Sequence, residues 1–222
     1  IAVMITGVNL LVKYADKDFT PQVYCLDFLK KNLFKSERED IPLRFDNIYT
    51  NPPWGSDKNG FYGSDFPEIK SKERSSMVIV ESLKRLNPNG NFCFLLPTSL
   101  LKIKNHHDVR KYILSNASIQ KIDLYSDRFD GVFTDYFSIN LSRVSTDHQE
   151  YIVSTGGKTI NIVLSESEKQ SGTIVVEQLS SIDESIVKKI ESRRHDDLKH
   201  SQWALGIVTG DNKSKVKKEM AI

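Results

Sequence analysis

Residues 91–97, Asn-Phe-Cys-Phe-Leu-Leu-Pro, place five apolar side chains in unbroken succession. Successive strand residues point to opposite faces, so an extended chain of this composition has no side fit for water. It needs cover above and below, which is the situation of a strand inside a largely parallel α/β sheet. The surrounding chain supplies candidate cover. Residues 75–86 carry Met77, Val80, Leu83 and Leu86 along one helical stripe, and 106–116 has helical spacing as well. Residues 1–14 read as an amphipathic or buried helix through Val3, Met4, Val8, Leu11 and Val12.

Further strands are expected at 23–29 (VYCLDFL), 41–50, 118–126 and 136–143. The charged stretch 31–40 reads as helix or loop, and 55–72, rich in Gly, Ser, Asp and Lys, as loop. Asn87-Pro88-Asn89-Gly90 reads as a turn in which Pro88 sets φ and Gly90 takes the left-handed conformation. Strand and helix alternate up to residue 126, which predicts a doubly wound parallel sheet. No helix separates the strands between 118 and 164, so part of that sheet is expected to be antiparallel. The domain reading is a catalytic domain over 1–164, a polar connector over 165–201 with a charged helix at 183–193, and a restart of β pattern over 202–222.

The chain has 222 residues, 39% hydrophobic and 27% charged, with a net charge of +2. That suits a globular domain and rules out a disordered tail. The mild charge permits nucleic-acid contact without demanding it. Two cysteines, Cys25 and Cys93, form neither a disulfide framework nor a metal motif, which favours a reducing cytoplasm. No apolar run approaches ~18 residues, so no membrane span is expected, and no secretory signal is present. The chain opens Ile1-Ala2-Val3 without an initiator methionine, as a piece of something longer would.

Chemistry concentrates in Asn47–Ser56, NIYTNPPWGS. Ligands of open α/β sheets sit beyond the carboxyl ends of the strands, where this segment would leave its strand. Asn51 offers a donor and an acceptor. Pro52 has no N–H but a free carbonyl, and the pair Pro52-Pro53 holds that acceptor in one direction. Trp54 gives a flat π surface. The set matches an exocyclic amine on a planar base: two N–H groups donate to the Asn51 side chain and the Pro52 carbonyl, and the ring stacks on Trp54. Hydrogen bonding of both amino hydrogens makes the nitrogen more pyramidal and frees its lone pair for an electrophile. Positive charge appears on nitrogen before the proton leaves, so no carboxylate base is needed. The competing reading is a plain strand-ending turn with Trp54 in the core.

FDNIYTNPPWG (45–55) resembles the strand and catalytic motif of adenine-N6 DNA methyltransferases of restriction–modification systems, including type I modification subunits and fused type II enzymes. Four further stretches agree in order. VYCLDFL resembles the segment whose acidic residue borders the adenine of S-adenosyl-L-methionine, which implies that place for Asp27. MVIVESLKRLNPNGNFCFLLPTSLL (77–101) is similar to the helix, turn and buried strand that follow the catalytic loop. RFDGVFTDYFSINL (128–141) resembles the region that lays an aromatic on the other face of a flipped base, and WALGIVTGDNK (203–213) the start of a target-recognition region.

The resemblance implies a Rossmann-like, S-adenosylmethionine-dependent α/β fold, mostly parallel with an antiparallel edge. It implies Asn51, Pro52, Pro53 and Trp54 as catalytic residues, Asp27 and Asn51 at the cofactor, and S-adenosyl-L-methionine as that cofactor. The partners implied are double-stranded DNA and a specificity or nuclease subunit or domain, in a prokaryotic cytoplasm. The family's glycine-rich loop and ribose-binding acid have no counterpart here, since Gly7 sits mid-helix. The expectation is therefore that the N-terminal part of the fold is missing and that the chain is inactive by itself.

Phe129 or Phe133 supplies the second stacking ring, with Phe129 favoured by its spacing to the next strand. Lys58, Lys70, Lys72 and Arg74 flank the loop after Trp54 and fit either phosphate contacts or a solvated loop. Asp46 reads as a turn or sheet-edge aspartate, and the pair His106-His107 as a helix N-terminal surface rather than a metal site. Methylation of a protein glutamine or an RNA adenine, and an inert fragment or binding module without cofactor capture, remain as alternatives.

Overall fold

A computed structural model describes residues 1–30, 42–60, 62–127, 134–143, 149–177 and 181–192. The chain divides into two units, Ile1–Gln178 and Leu179–Ile222. The first holds strands β1 (Phe45–Thr50), β2 (Leu86–Pro97), β3 (Ser118–Tyr125), β4 (Tyr136–Ser142), β5 (Gln149–Thr155) and β6 (Lys158–Leu164). It also holds helices α1 (Ala2–Lys13), α2 (Arg74–Arg85), α3 (Ser99–Lys102), α4 (His107–Asn116) and α5 (Glu166–Ser171). In the second unit the described part is α6 (Ser181–Ser192), whose Ile182, Ile186 and Ile190 are exposed.

The strands form one sheet in the order β1-β2-β4-β3-β5-β6. β1, β2, β3 and β5 run in one direction, while β4 and β6 oppose them. The expected α/β class, with a mostly parallel sheet and an antiparallel edge, is what the chain adopts. The antiparallel edge strand is β6, and β4 is a second reversed strand inserted between β2 and β3. That insertion brings the carboxyl ends of β1, β2 and β3 to the same side of the sheet.

Phe92, Phe94 and Leu96 of β2 are fully buried, while Cys93 and Leu95 on the alternate face are half-buried. The heavier cover lies over the phenylalanine face, where Met77, Ile79, Val80 and Leu83 of α2 and Val109 and Ile113 of α4 join the same core. The strand sealed along most of its length is β4, with Phe137, Ser138, Ile139, Leu141 and Ser142 all buried. α5 begins with a capping box between Ser165 and Glu168 and ends on Gly172 in the left-handed conformation. The chain after it, expected as connector, buries Ile174 and Val176, and the Tyr151 hydroxyl donates to the Val175 carbonyl at 2.7 Å.

Four local expectations are corrected. Residues 23–29 form no strand: Leu29 N–H donates to Asp27 Oδ1 (3.2 Å) and Lys30 N–H to the Asp27 carbonyl (3.1 Å). The segment thus closes into a turn at Asp27, satisfying locally the donors that a ladder would use. α1 forms as expected but buries none of its residues, leaving Met4, Val8 and Val12 exposed. His106 is buried rather than superficial, and burial pushes its pKa below the usual histidine range. Its neighbour Arg110 is also buried and donates to the carbonyls of Gly172, Leu100 and Ile103.

The fourth correction concerns Asn87–Gly90. These residues lie inside β2 as an irregularity, where the register passes from Phe45↔Leu86 to Asn47↔Asn91. The left-handed residue is Asn89 (φ 63°), and Asn87 Nδ2 donates to Asp46 Oδ1 at 2.8 Å. Gly90 serves close approach instead. A Cβ there would lie 2.8 Å from Leu86 Cγ and 2.9 Å from both the Asn87 and Asp46 carbonyl oxygens. Two of those three atoms are backbone, so relief requires β1 to move off β2. Gly90→Ala is expected to lose about 1–3 kcal/mol in urea unfolding. Gly63→Ala, where nothing lies within 4 Å of the new Cβ, is expected to stay within about 0.5 kcal/mol of wild type. Equal losses at the two sites would refute the close approach.

Candidate active site

β1 pairs with β2 in parallel register as far as Thr50↔Phe94, and Asn51–Trp54 follow at its carboxyl end. Two consecutive prolines lack N–H groups, so the ladder cannot continue. A side chain takes up one carbonyl beyond it: the Trp54 indole Nε1–H donates to the Leu95 carbonyl of β2 at 3.3 Å. Pro52 is buried, Trp54 half-buried, and Asn51 and Pro53 are exposed. Among the described residues the Asn51 amide has no hydrogen-bond partner, so its donor and acceptor remain available to a ligand.

The chain then makes a loop that closes on itself. Ser56 and Glu73 form an isolated antiparallel bridge. Asp57 N–H donates to the Lys72 carbonyl (2.7 Å), and Arg74 N–H to the Gly55 carbonyl (3.1 Å). Lys72 reaches this neck with φ 57°, a left-handed conformation uncommon outside glycine. Inside the loop Asp57 is buried, only 7% exposed, and its Oδ2 accepts the Tyr62 backbone N–H at 2.8 Å.

Tyr62 connects this loop to a distant segment. Its hydroxyl donates to Asp27 Oδ2 at 2.6 Å, while Asp27 Oδ1 accepts Leu29 N–H. The hydrogen bond to the Asp27 carboxylate, then burial, then the charges of Asp27 and Asp57 raise the phenol above its ordinary range. Tyr62 is therefore a protonated donor at neutral pH. A cavity of about 600 Å³ lies beside these groups, lined by Trp54, Asp57, Lys58, Tyr62 and Arg74 among others.

The Eco57I restriction-modification methylase family matches residues 3–133. Type II methyltransferase M.VspI of Vibrio sp. (strain 343) is 34% identical over 192 residues, which are 83% of this chain and 47% of that protein. The chain belongs to the Eco57I restriction-modification methylase family. It spans about half the length of that curated relative. Its fold is shared with a solved type I restriction–modification assembly, at 16% identity and TM-score 0.53 over 78% of this chain and 46% of the other. The Type ISP restriction-modification enzyme LlaGI, solved as a nuclease-deletion mutant with a DNA substrate mimic, gives 16% identity and TM-score 0.54. There the alignment covers 78% of this chain and 21% of LlaGI.

In this member of the family, Tyr62 joins Asp27 to the loop that follows Trp54. Lys58 and Arg74 line the cavity with exposed side chains. Lys70 and Lys72 are exposed away from it, and Lys70 lines a separate cavity of about 470 Å³ with Lys104, His107 and Asp108. Phe129 and Phe133, and the stretch 202–222, lie outside the described residues. Among the described residues no group of three His, Cys, Asp or Glu stands where it would hold a metal ion, and no helix is long and apolar enough to cross a membrane.

Two residues escaped the sequence reading, Tyr62 and Asp57. The Gly, Ser, Asp and Lys content of 55–72 marked the loop without showing that Tyr62 would reach Asp27 or that Asp57 would be buried. Asp57→Ala is expected to leave the Tyr62 N–H without its acceptor and to lose about 1–3 kcal/mol. Limited proteolysis within 56–73 should accelerate in parallel, and unchanged stability and cleavage would show that Asp57 does not hold the loop.

Proposed function

We propose that this chain carries the base-side chemistry of an adenine-N6 DNA methyltransferase that acts on a base turned out of the duplex. The observation that carries the reading is the exposed Asn51 amide, without a hydrogen-bond partner among the described residues, beside Pro52 and with the Trp54 ring pinned to Leu95. Family membership supports methyl transfer, and the relative M.VspI is itself named a type II methyltransferase. The shared fold with a restriction–modification enzyme solved with a DNA substrate mimic supports DNA as substrate.

In this reading Asn51 Oδ1 and the Pro52 carbonyl accept the two amino hydrogens of adenine. Pro53 keeps that carbonyl from rotating away. Trp54 forms one plate under the ring, and Phe129 or Phe133 the other. Extrusion of a base costs a few kcal/mol, and stacking on an aromatic returns about 1–3 kcal/mol per base. With both hydrogens engaged, the nitrogen lone pair is directed out of the ring plane, and the proton is released after charge has developed. Lys58, Lys70, Lys72 and Arg74 are proposed to meet phosphates, each steepening the salt dependence of binding. A specificity or nuclease subunit or domain is the proposed further partner.

S-adenosyl-L-methionine, when bound, supplies the electrophilic methyl group. The residues present suit its adenosyl end. Each carboxylate oxygen has two lone-pair directions; Tyr62 and Leu29 use one on each oxygen of Asp27, leaving acceptors for an amino group. Asn51 is the proposed second contact, on the side of the methyl group.

Asn51→Ala in the full-length protein is expected to lower kcat for adenine methylation roughly 10²–10³-fold, the scale for loss of one positioned polar group. Cofactor affinity, to which Asn51 adds one contact, should fall by much less than kcat, and melting temperature should change little. Methylation at the wild-type rate would remove Asn51 from the mechanism.

A further inference from the structure

Asp27 sits on a segment that belongs to no strand, and its carboxylate accepts two bonds: one from the neighbouring Leu29 N–H and one from Tyr62, 35 positions away. Tyr62, in contrast, is held firmly. Its N–H is bound by the buried Asp57, and Asp57 and its neighbours are tied at the loop neck to Lys72, Glu73 and Arg74. That neck begins directly after Trp54, whose indole is bound to β2. Hydrogen bonds at Trp54, at the loop neck and at Tyr62, joined by the covalent chain, therefore lead from the sheet to one oxygen of Asp27.

We propose that Tyr62 is a positioning residue for the cofactor: its phenol orients the Asp27 carboxylate toward the adenine and links the adenosyl end of the site to the loop that starts at Trp54. The inference rests on the reading of Asp27 as the residue beside the cofactor adenine. Leu29 is buried in the core and anchors the turn itself, but its N–H bonds Asp27 Oδ1 from within that turn and leaves Oδ2 to a partner from another segment. Tyr62 supplies that second fixed point, because it belongs to a loop tied at its own neck. A hydrogen bond to an ionised acceptor is among the stronger kinds, and at 2.6 Å this one is short. The raised pKa of the phenol keeps the proton available for it across the neutral range.

The same geometry couples the two halves of the site. Cofactor bound at Asp27 would immobilise the carboxylate and, through Tyr62, the loop after Trp54. Linkage is reciprocal, so order in the loop should favour cofactor binding in turn. Tyr62 touches neither reacting group; its influence passes through Asp27.

The test uses the full-length protein and S-adenosylhomocysteine as a non-reacting probe in calorimetric titration, with steady-state methylation alongside. Tyr62→Phe keeps the ring and removes the proton donor. It is expected to weaken probe binding about tenfold and to raise KM for S-adenosylmethionine similarly, with a much smaller fall in kcat at saturating cofactor. Asp27→Asn is expected to weaken binding at least as much. Because Tyr62 acts through Asp27, adding Tyr62→Phe to Asp27→Asn should cause little further loss.

If Asp27→Asn weakens binding while Tyr62→Phe does not, the proposal fails and the reading of Asp27 stands. Losses that multiply independently in the double variant also overturn it. A Tyr62→Phe variant that loses kcat and melting temperature with KM unchanged has a structural role only, and the proposal fails again. If Asp27→Asn binds the probe normally, the reading of Asp27 itself is wrong and the proposal falls with it.

Discussion

The parallel ladder between β1 and β2 is the constraint on which the site depends. It fixes Ile48 against Phe92 and Thr50 against Phe94, and so delivers Asn51 to the carboxyl end of the sheet at a set height. Two prolines end the ladder, and the Trp54 indole takes up the Leu95 carbonyl just past the last pair. The same residue therefore closes the strand mechanically and presents an aromatic surface. Gly90 lets β1 and β2 approach at the other end of the ladder, where a methyl group would meet the Asp46 carbonyl at 2.9 Å. Strand spacing and the position of the candidate site are thus set at both ends of one short parallel pair.

The loop that follows is ordered by polar contacts rather than by apolar burial alone. Asp57 is the pivot, since it is buried, accepts from Tyr62 N–H and donates its own N–H to Lys72. A carboxylate in that position leaves a donor unsatisfied when removed, so the loop is sensitive to single substitutions. Phe66 and Ile69, both buried, add the apolar part of its anchorage. What results is a closed excursion from the sheet with one phenol reaching outward to Asp27.

Much of the sheet was legible because it rests on periodicity. The apolar run at 91–97, the alternate residues of 118–125 and the stripe Met77-Val80-Leu83 each answer to a local repeat, and each becomes the expected element. The end of β1 before Asn51 was legible for a different reason: two consecutive prolines cannot continue the ladder. What escaped were features decided by distant partners. Residues 23–29 have strand composition, yet Asp27 captures the nearby N–H donors into a turn. The left-handed residue before β2's apolar run is Asn89, because Gly90 is needed where Leu86 and Asp46 come close. Tyr62 lies in a polar loop with no repeat to mark it, and its bond to Asp27 exists only once the fold has formed.

The central claim, that the Asn51–Trp54 loop presents adenine for methylation at N6, is tested most directly by following the transferred group. The full-length protein would be incubated with plasmid DNA and S-adenosylmethionine bearing a deuterated methyl group, and the DNA then digested to nucleosides for mass spectrometry. The account predicts the label on N6-methyladenine. Label on cytosine, or no label in the DNA, would contradict it.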